Sequence, residues 1–135
     1  MPAGYCFDTD TLSAVLRRQP DMALVRRLAV LPPDQQYTTA ISYAELVYGA
    51  LKRGSAALAD RVRGLVLQSL TVVPFDAAAA ESYAEVRARL DQAGTPLAEP
   101  DLRMAATTLS RGLVLVTGNT RHFGRVPELS IENWL

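Results

Sequence analysis

Asp8, Glu45 and Asp101 are carboxylates from three well-separated stretches of the chain, each placed where a strand or helix pattern brings a side chain to one end of a small α/β domain. Tyr5-Cys6-Phe7 is a short apolar strand that runs directly into Asp8-Thr9-Asp10-Thr11, a turn followed by helical spacing. A carboxylate at such a strand end points into the crevice where open α/β sheets take their ligands. Glu45 lies one turn into a helix that follows a strand, and Asp101 opens the helix that leads to the strongest strand, Leu113–Thr117. Three carboxylates packed together repel and raise one another's pKa, so the cluster persists only if a hard cation neutralises it. Oxygen ligands of this kind suit Mg²⁺ or Mn²⁺, which keep several waters and bind phosphate oxygens well. The chemistry expected of such a layout is metal-dependent cleavage of a phosphodiester.

Taken singly, two of the three have a second reading. Asp8 also reads as a cap for the helix after the first strand, and Asp101 as a dipole-favoured acid in a first turn. Glu45 is harder to explain that way: Ile41 and Gly49 lie four residues to either side, so its carboxylate sits beside an apolar stripe, where burial without a partner is costly. Around these acids, Thr9, Ser42, Thr117 and Asn119 could orient ligands; Thr117-Gly118-Asn119 reads equally as a turn at a strand end. His122 is the single histidine, which excludes a histidine metal cluster. Asp76 reads as a helix cap and Trp134 as a packing anchor.

The elements that must position these residues alternate. Strand-like runs stand at Tyr5–Phe7, Gln36–Thr38, Leu70–Val73, Leu113–Thr117 and Leu129–Ile131, with helical spacing between them. Alternation of this kind predicts an α/β domain with a parallel sheet covered by helices. Pro20 breaks the helical segment Leu12–Arg18, Asp21 starts another, and Pro32-Pro33 stops it. Helices are further predicted over Ile41–Lys52, from a Ser55 cap to about Ser69, over Ala77–Ala93 ending at Gly94, and over Asp101–Arg111 with Pro100 in the first turn.

Composition narrows the class. At 135 residues, 1–135 reads as a single domain. Apolar content of 49% against 21% charged suits a packed core rather than disorder. Fourteen basic and fourteen acidic residues cancel, so no overall field favours or excludes nucleic acid. All the basic residues except Lys52 are arginine, which favours bidentate phosphate contact; Arg17-Arg18, Arg26-Arg27, Lys52-Arg53 and Arg61/Arg63 are candidate patches, with solvated helix faces as the alternative. The lone Cys6 has no disulfide partner, and no apolar window approaches the length of a membrane span. A soluble cytoplasmic protein is expected.

The ordered fragments Phe7-Asp8-Thr9-Asp10, Ser42-Tyr43-Ala44-Glu45-Leu46-Val47-Tyr48-Gly49, Gly94-Thr95-Pro96 before Asp101 with Ala105-Ala106, Leu115-Val116-Thr117-Gly118-Asn119, and His122-Phe123 with Glu132-Asn133-Trp134 span nearly the whole chain. As a set they resemble the PIN-domain ribonucleases, specifically the VapC toxins of bacterial type II toxin–antitoxin pairs. The resemblance implies a three-layer α/β/α sandwich with a central parallel sheet of four to five strands. It implies a Mg²⁺ site from Asp8, Glu45 and Asp101, and hydrolysis of structured RNA, commonly tRNA. It also implies a homodimer and inhibition by a cognate antitoxin. Exposed apolar residues expected on the helices from Asp21 to Leu31 and Leu58 to Leu67 fit a dimer as well. The chain departs from the family's pattern at His122, where many relatives carry an aspartate: either the site works with three carboxylates, or Asn119 and a water complete it, or His122 touches phosphate instead, and its role stays open.

Two rivals make different predictions. Asp8-Thr9-Asp10-Thr11 after a strand mimics the nucleophile loop of haloacid-dehalogenase-like phosphatases, but that family needs a lysine downstream of its second motif, and Lys52 precedes Thr117. A non-enzymatic α/β interaction module, its carboxylates mere caps, predicts no response to Mg²⁺ and no effect of Asp8→Asn.

Overall fold

In a computed structural model, which describes residues 2–135, five short parallel strands form one sheet with helices on both faces. The elements in chain order are β1 (Tyr5–Phe7), α1 (Thr9–Leu16), α2 (Met22–Val30), β2 (Gln36–Thr39), α3 (Ala40–Lys52), α4 (Ala56–Ser69), β3 (Thr71–Val73), α5 (Ala77–Ala93), α6 (Glu99–Ser110), β4 (Val114–Val116), α7 (Thr120–Phe123) and β5 (Ile131–Glu132). A single 3-10 turn, Pro33–Gln35, leads into β2. This is the α/β/α architecture expected from the alternation.

Strand order is β3-β2-β1-β4-β5. Tyr5, Cys6 and Phe7 pair with Gln36, Tyr37 and Thr38 on one side and with Val114, Leu115 and Val116 on the other. The chain proceeds outward from β1 through β2 to β3, then returns to β1's other side for β4 and β5. The order therefore reverses between β1 and β4, and the crevice outside the carboxyl ends of those two strands is where such a sheet binds ligands.

Successive strand residues face opposite ways, and the two faces have separate cores. Phe7 and Val116 pack with Leu12, Leu16, Leu24, Leu46, Val62 and Val66 under α1 to α4. Leu115 packs with Val86, Leu90, Leu102, Ala105 and Phe123 under α5 to α7. Full burial of each such side chain stabilises by roughly 1.5–3 kcal/mol. Trp134 closes the first core, its ring 5.4 Å from Phe7 and 5.0 Å from Tyr5, with the Arg27 guanidinium 3.9 Å above it, so the expected packing anchor is one.

Helix starts follow local chemistry. Asp8, Asp21, Thr39, Ser55 and Asp76 each place a side-chain oxygen on the amide three residues on. Gly94, with φ +70°, ends α5 in the left-handed region that glycine adopts at least cost. Three helices begin earlier than the periodicity predicts: α3 by one residue, at Ala40, and α1 at Thr9 and α6 at Glu99, whose first turns carry polar residues outside the apolar pattern. The last strand lies at Ile131–Glu132, two residues beyond the predicted start, since pairing with Leu115 and Val116 sets its register.

Candidate functional site

Asp8 is delivered by β1 and fixed by the helix it starts. Its amide donates to the Val116 carbonyl at 3.1 Å, which ties the end of β1 to β4. Its Oδ1 accepts the Thr11 amide at 2.8 Å, so Asp8 does cap α1, as one reading held. The Thr11 hydroxyl donates to the Val116 carbonyl at 3.1 Å, and the Thr38 hydroxyl to the Phe7 carbonyl at 2.7 Å. Buried hydroxyls thus staple the carboxyl ends of β1, β2 and β4 together. Only 4% of Asp8 is exposed.

Burial raises the pKa of Asp8 above the usual carboxylate range; hydroxyls of Thr117 and Thr11 and the Thr11 amide oppose the rise, and Asp10 adds to it. Asp101, partly buried in the first turn of α6, is raised by burial first, then by the charge of Glu45; His122 opposes this, and Asp8 and Asp10 reinforce it. Asp101 therefore lies within electrostatic reach of both Glu45 and Asp8, and among the described residues none of the three carboxylates sits in an ion pair. His122 is exposed on α7, on the Asp101 side of the crevice.

Glu45 is held differently. Its Oε1 accepts the Thr9 hydroxyl at 2.6 Å, linking α3 to the first residue of α1 and leaving Oε2 without a donor among the described residues. Thr9 is thereby hydrogen-bonded to one of the candidate carboxylates. Ser42 does not touch a carboxylate: its hydroxyl donates to the Met104 sulfur at 2.9 Å and accepts from Thr39 at 3.2 Å. Thr117 is fully buried and accepts the Asn119 amide at 2.9 Å, forming the turn that was the alternative reading of that segment; its hydroxyl also serves Asp8. Asn119 precedes α7 without capping it. Met104, Thr11, Thr38 and Thr39 belong to the site's support and escape sequence reading: a methionine at helical spacing looks like core, and the threonine run Thr38-Thr39 looks like strand.

The donor set fits a hard cation better than any internal partner. Uncompensated, partly desolvated carboxylates are what a divalent ion neutralises. Among the described residues, no three His, Cys, Asp or Glu side chains converge tightly enough to cage an ion by themselves. Mg²⁺ does not require a cage, since one or two carboxylates completed by water and substrate phosphate suffice.

A doubly wound parallel sheet with carboxylates gathered at its switch point defines the class of protein: an α/β domain with an acidic crevice. The PIN domain family model matches residues 5–129. The chain is 32% identical over 130 residues to the tRNA(fMet)-specific endonuclease VapC of Salmonella typhimurium, covering 96% of this chain and 97% of that protein. It is 32% identical over 136 residues to Ribonuclease VapC2 of Haemophilus influenzae, covering 97% and 98%. The VapBC2 complex of Rickettsia felis, bound to a DNA fragment from its promoter, superposes with a TM-score of 0.87 at 28% identity over 97% of this chain and 98% of that one. DNA-bound VapBC of Salmonella typhimurium superposes at 0.84 with 31% identity over 98% of each chain. The chain belongs to the PIN domain family and, within it, to the VapC ribonucleases. Among the described residues, no helix is long and apolar enough to cross a membrane.

Proposed function

We propose that this chain is a divalent-metal-dependent endoribonuclease, the toxin of a toxin–antitoxin pair, that hydrolyses phosphodiester bonds in structured RNA, with tRNA as its substrate and Mg²⁺ as its cation. The observation that carries the reading is Asp8: a nine-tenths-buried carboxylate at the switch point of the sheet, raised by burial and in no ion pair among the described residues. Two of the relatives are named as tRNA(fMet)-specific endonucleases, which supports tRNA as the substrate class. Solved relatives are VapBC complexes, which supports a cognate antitoxin as partner. Its site of action is the cytoplasm, and the active form is a homodimer.

Asp8, Asp101 and Glu45 would hold the cation. When bound, it neutralises these carboxylates and stabilises charge that builds on the phosphate. The chain's own residues supply orientation and proton transfer. The Thr11 amide fixes Asp8 through Oδ1, and the cation would be held through the rest of that carboxylate. The Thr9 hydroxyl occupies Glu45 Oε1, which leaves Oε2 to accept a proton from the attacking water. The sheet's stapled ends keep these groups in place without reorganisation. RNA cut after expression of the wild type and left intact with Asp8→Asn, mapped by sequencing RNA 5′ ends, tests activity and substrate together. Equal cleavage by both would overturn the assignment.

A further inference from the structure

A groove opens beside the carboxylates, between α1, α3 and α4, with a volume of about 380 Å³, which lies in the range of about 300–1,000 Å³ typical of ligand sites. Thr9, Asp10 and Glu45 line one end, Arg17 and Arg53 line it further along, and Leu46, Leu58 and Val62 form apolar wall. The two arginines are placed by matching arithmetic. Asp8 is the N-cap of α1 and Arg17 its C-cap; Glu45 stands eight residues before Arg53, the C-cap of α3. Each arginine is thus about two helical turns, roughly 12 Å of rise, from a site carboxylate.

Their charges are also unengaged. Arg27, Arg63, Arg87, Arg89, Arg103 and Arg111 each sit in an ion pair, and Arg61 and Arg125 donate to backbone carbonyls. Arg17 and Arg53 have neither kind of side-chain partner among the described residues and are exposed. An arginine left unpaired on the rim of an apolar-walled groove is arranged for an anion that is not part of the chain.

We propose that this groove seats the stretch of RNA next to the scissile phosphate, with Arg17 and Arg53 on the flanking phosphates and the apolar wall against ribose or base. The assignment rests on the ribonuclease reading. A strand carrying phosphates at regular intervals meets Glu45, one of the carboxylates proposed to hold the cation, at one end and guanidinium groups further along, so its charge pattern matches both. An acidic peptide matches only the arginines and is repelled by Asp10 and Glu45. Because the arginines lie too far from the carboxylates to touch the reacting phosphate, they act on binding rather than on the chemical step.

The test uses the full chain carrying Asp8→Asn, which binds without cutting, and fluorescein-labelled tRNA(fMet) as probe, with Kd measured against KCl concentration. Arg17→Gln and Arg53→Gln should each weaken binding about tenfold and lower the slope of log Kd against log salt by about 1. Arg89→Gln, on the outer face of α5 and paired with Glu128, should change neither. With Asp8 restored, the two variants should raise KM while kcat stays within about twofold. Unchanged Kd and slope overturn the groove assignment, as does a loss confined to antitoxin binding, which would give the groove to a protein. If the parent binds no tRNA and the wild type cuts none, the ribonuclease reading falls and the groove assignment with it; a wild type that cuts tRNA beside indifferent arginine variants removes the groove alone.

Discussion

The carboxyl ends of β1 and β3 use one local device for opposite ends. Asp8 follows β1 and Asp76 follows β3; each sits in extended conformation, and each caps the next helix by accepting the amide of the third residue on, at 2.8 Å and 3.0 Å. Around Asp76 the charge is answered. The Ala79 amide foremost, and Arg111 at 3.0 Å, hold its carboxyl below the usual range. Around Asp8 it is not: burial pushes its pKa up, and among the described residues no ion pair reaches it. A helix start needs the cap oxygen, and both residues supply it. Of the two, only Asp8 carries a negative charge beyond that need without an ion pair among the described residues, and the excess is why it, and not Asp76, is proposed as a functional residue.

The comparison breaks most visibly at Asp8 itself. Asn caps helices about as well as Asp, so Asp8→Asn should fold while losing the charge. If that charge supplies several kcal/mol of cation-mediated stabilisation, cleavage of end-labelled tRNA falls about a thousandfold or more, at 1.36 kcal/mol per decade. Asp101→Asn and Glu45→Gln should cost about a hundredfold or more by the same assay. Activity within tenfold of wild type in Asp8→Asn, with the fold intact by circular dichroism, would reduce Asp8 to the role that Asp76 plays.

How much of this contrast is readable from the sequence depends on the range of the forces involved. Caps at Asp21, Ser55 and Asp76 and the stop at Gly94 are local signals, and the structure places each where the pattern predicts. The positions of Asp8 and Asp101 at element starts are legible for the same reason. That Asp8 is buried and Asp76 paired is not legible, because Arg111 lies 35 residues from Asp76, and Val116 and Thr117, which hold Asp8 from outside its own helix, come from the far end of β4. The four-residue α7 is too short for periodicity to register. Met104 falls on an apolar stripe, and nothing local tells that its sulfur receives the Ser42 hydroxyl from 62 residues away.

The next effect separates the two regions by pH and by metal. Asp8 and Asp101 have raised pKa values in the folded chain, so their contribution to metal-free stability is full below the ordinary Asp value of about 3.9 and is lost as pH rises through their raised values. Asp76, lowered, contributes above the ordinary value and loses that contribution as pH falls through its folded one. Mg²⁺ binds the ionised site. It should raise the Tm at neutral pH by the equivalent of about 2.7 kcal/mol at a hundredfold excess over Kd, and the gain should fade on acidification as the carboxyls protonate. Chelation with EDTA should remove it. Thermal unfolding of the wild type and Asp8→Asn across pH, with and without Mg²⁺, measures this; an equal Mg²⁺ response in both proteins would detach the cation from Asp8.

Smaller still is the effect of the support beneath the site. Met104→Leu keeps volume but removes the acceptor of a buried hydroxyl, which costs about 1 kcal/mol. Ser42→Ala on that background removes the stranded hydroxyl and should recover most of the loss. The recovery, read as a double-mutant cycle in urea unfolding, distinguishes a hydrogen bond from packing alone. Cleavage by Met104→Leu should fall only a few-fold, since Glu45 keeps its Thr9 donor.

The smallest change belongs at Asp76, where the comparison is sharpest because so little should happen. Asp76→Asn keeps the oxygen that accepts the Ala79 amide and gives up only the charge facing Arg111, a surface pair of the kind that contributes little in water. A slight fall in Tm that shrinks with added salt is expected, and Arg111→Gln on the same background should add nothing, because the pair is already gone. Cleavage should match the wild type at every Mg²⁺ concentration. Loss of cleavage here on the scale of Asp8→Asn would mean that an aspartate charge matters to activity even where Arg111 answers it, and the unanswered charge at the switch point would no longer explain anything.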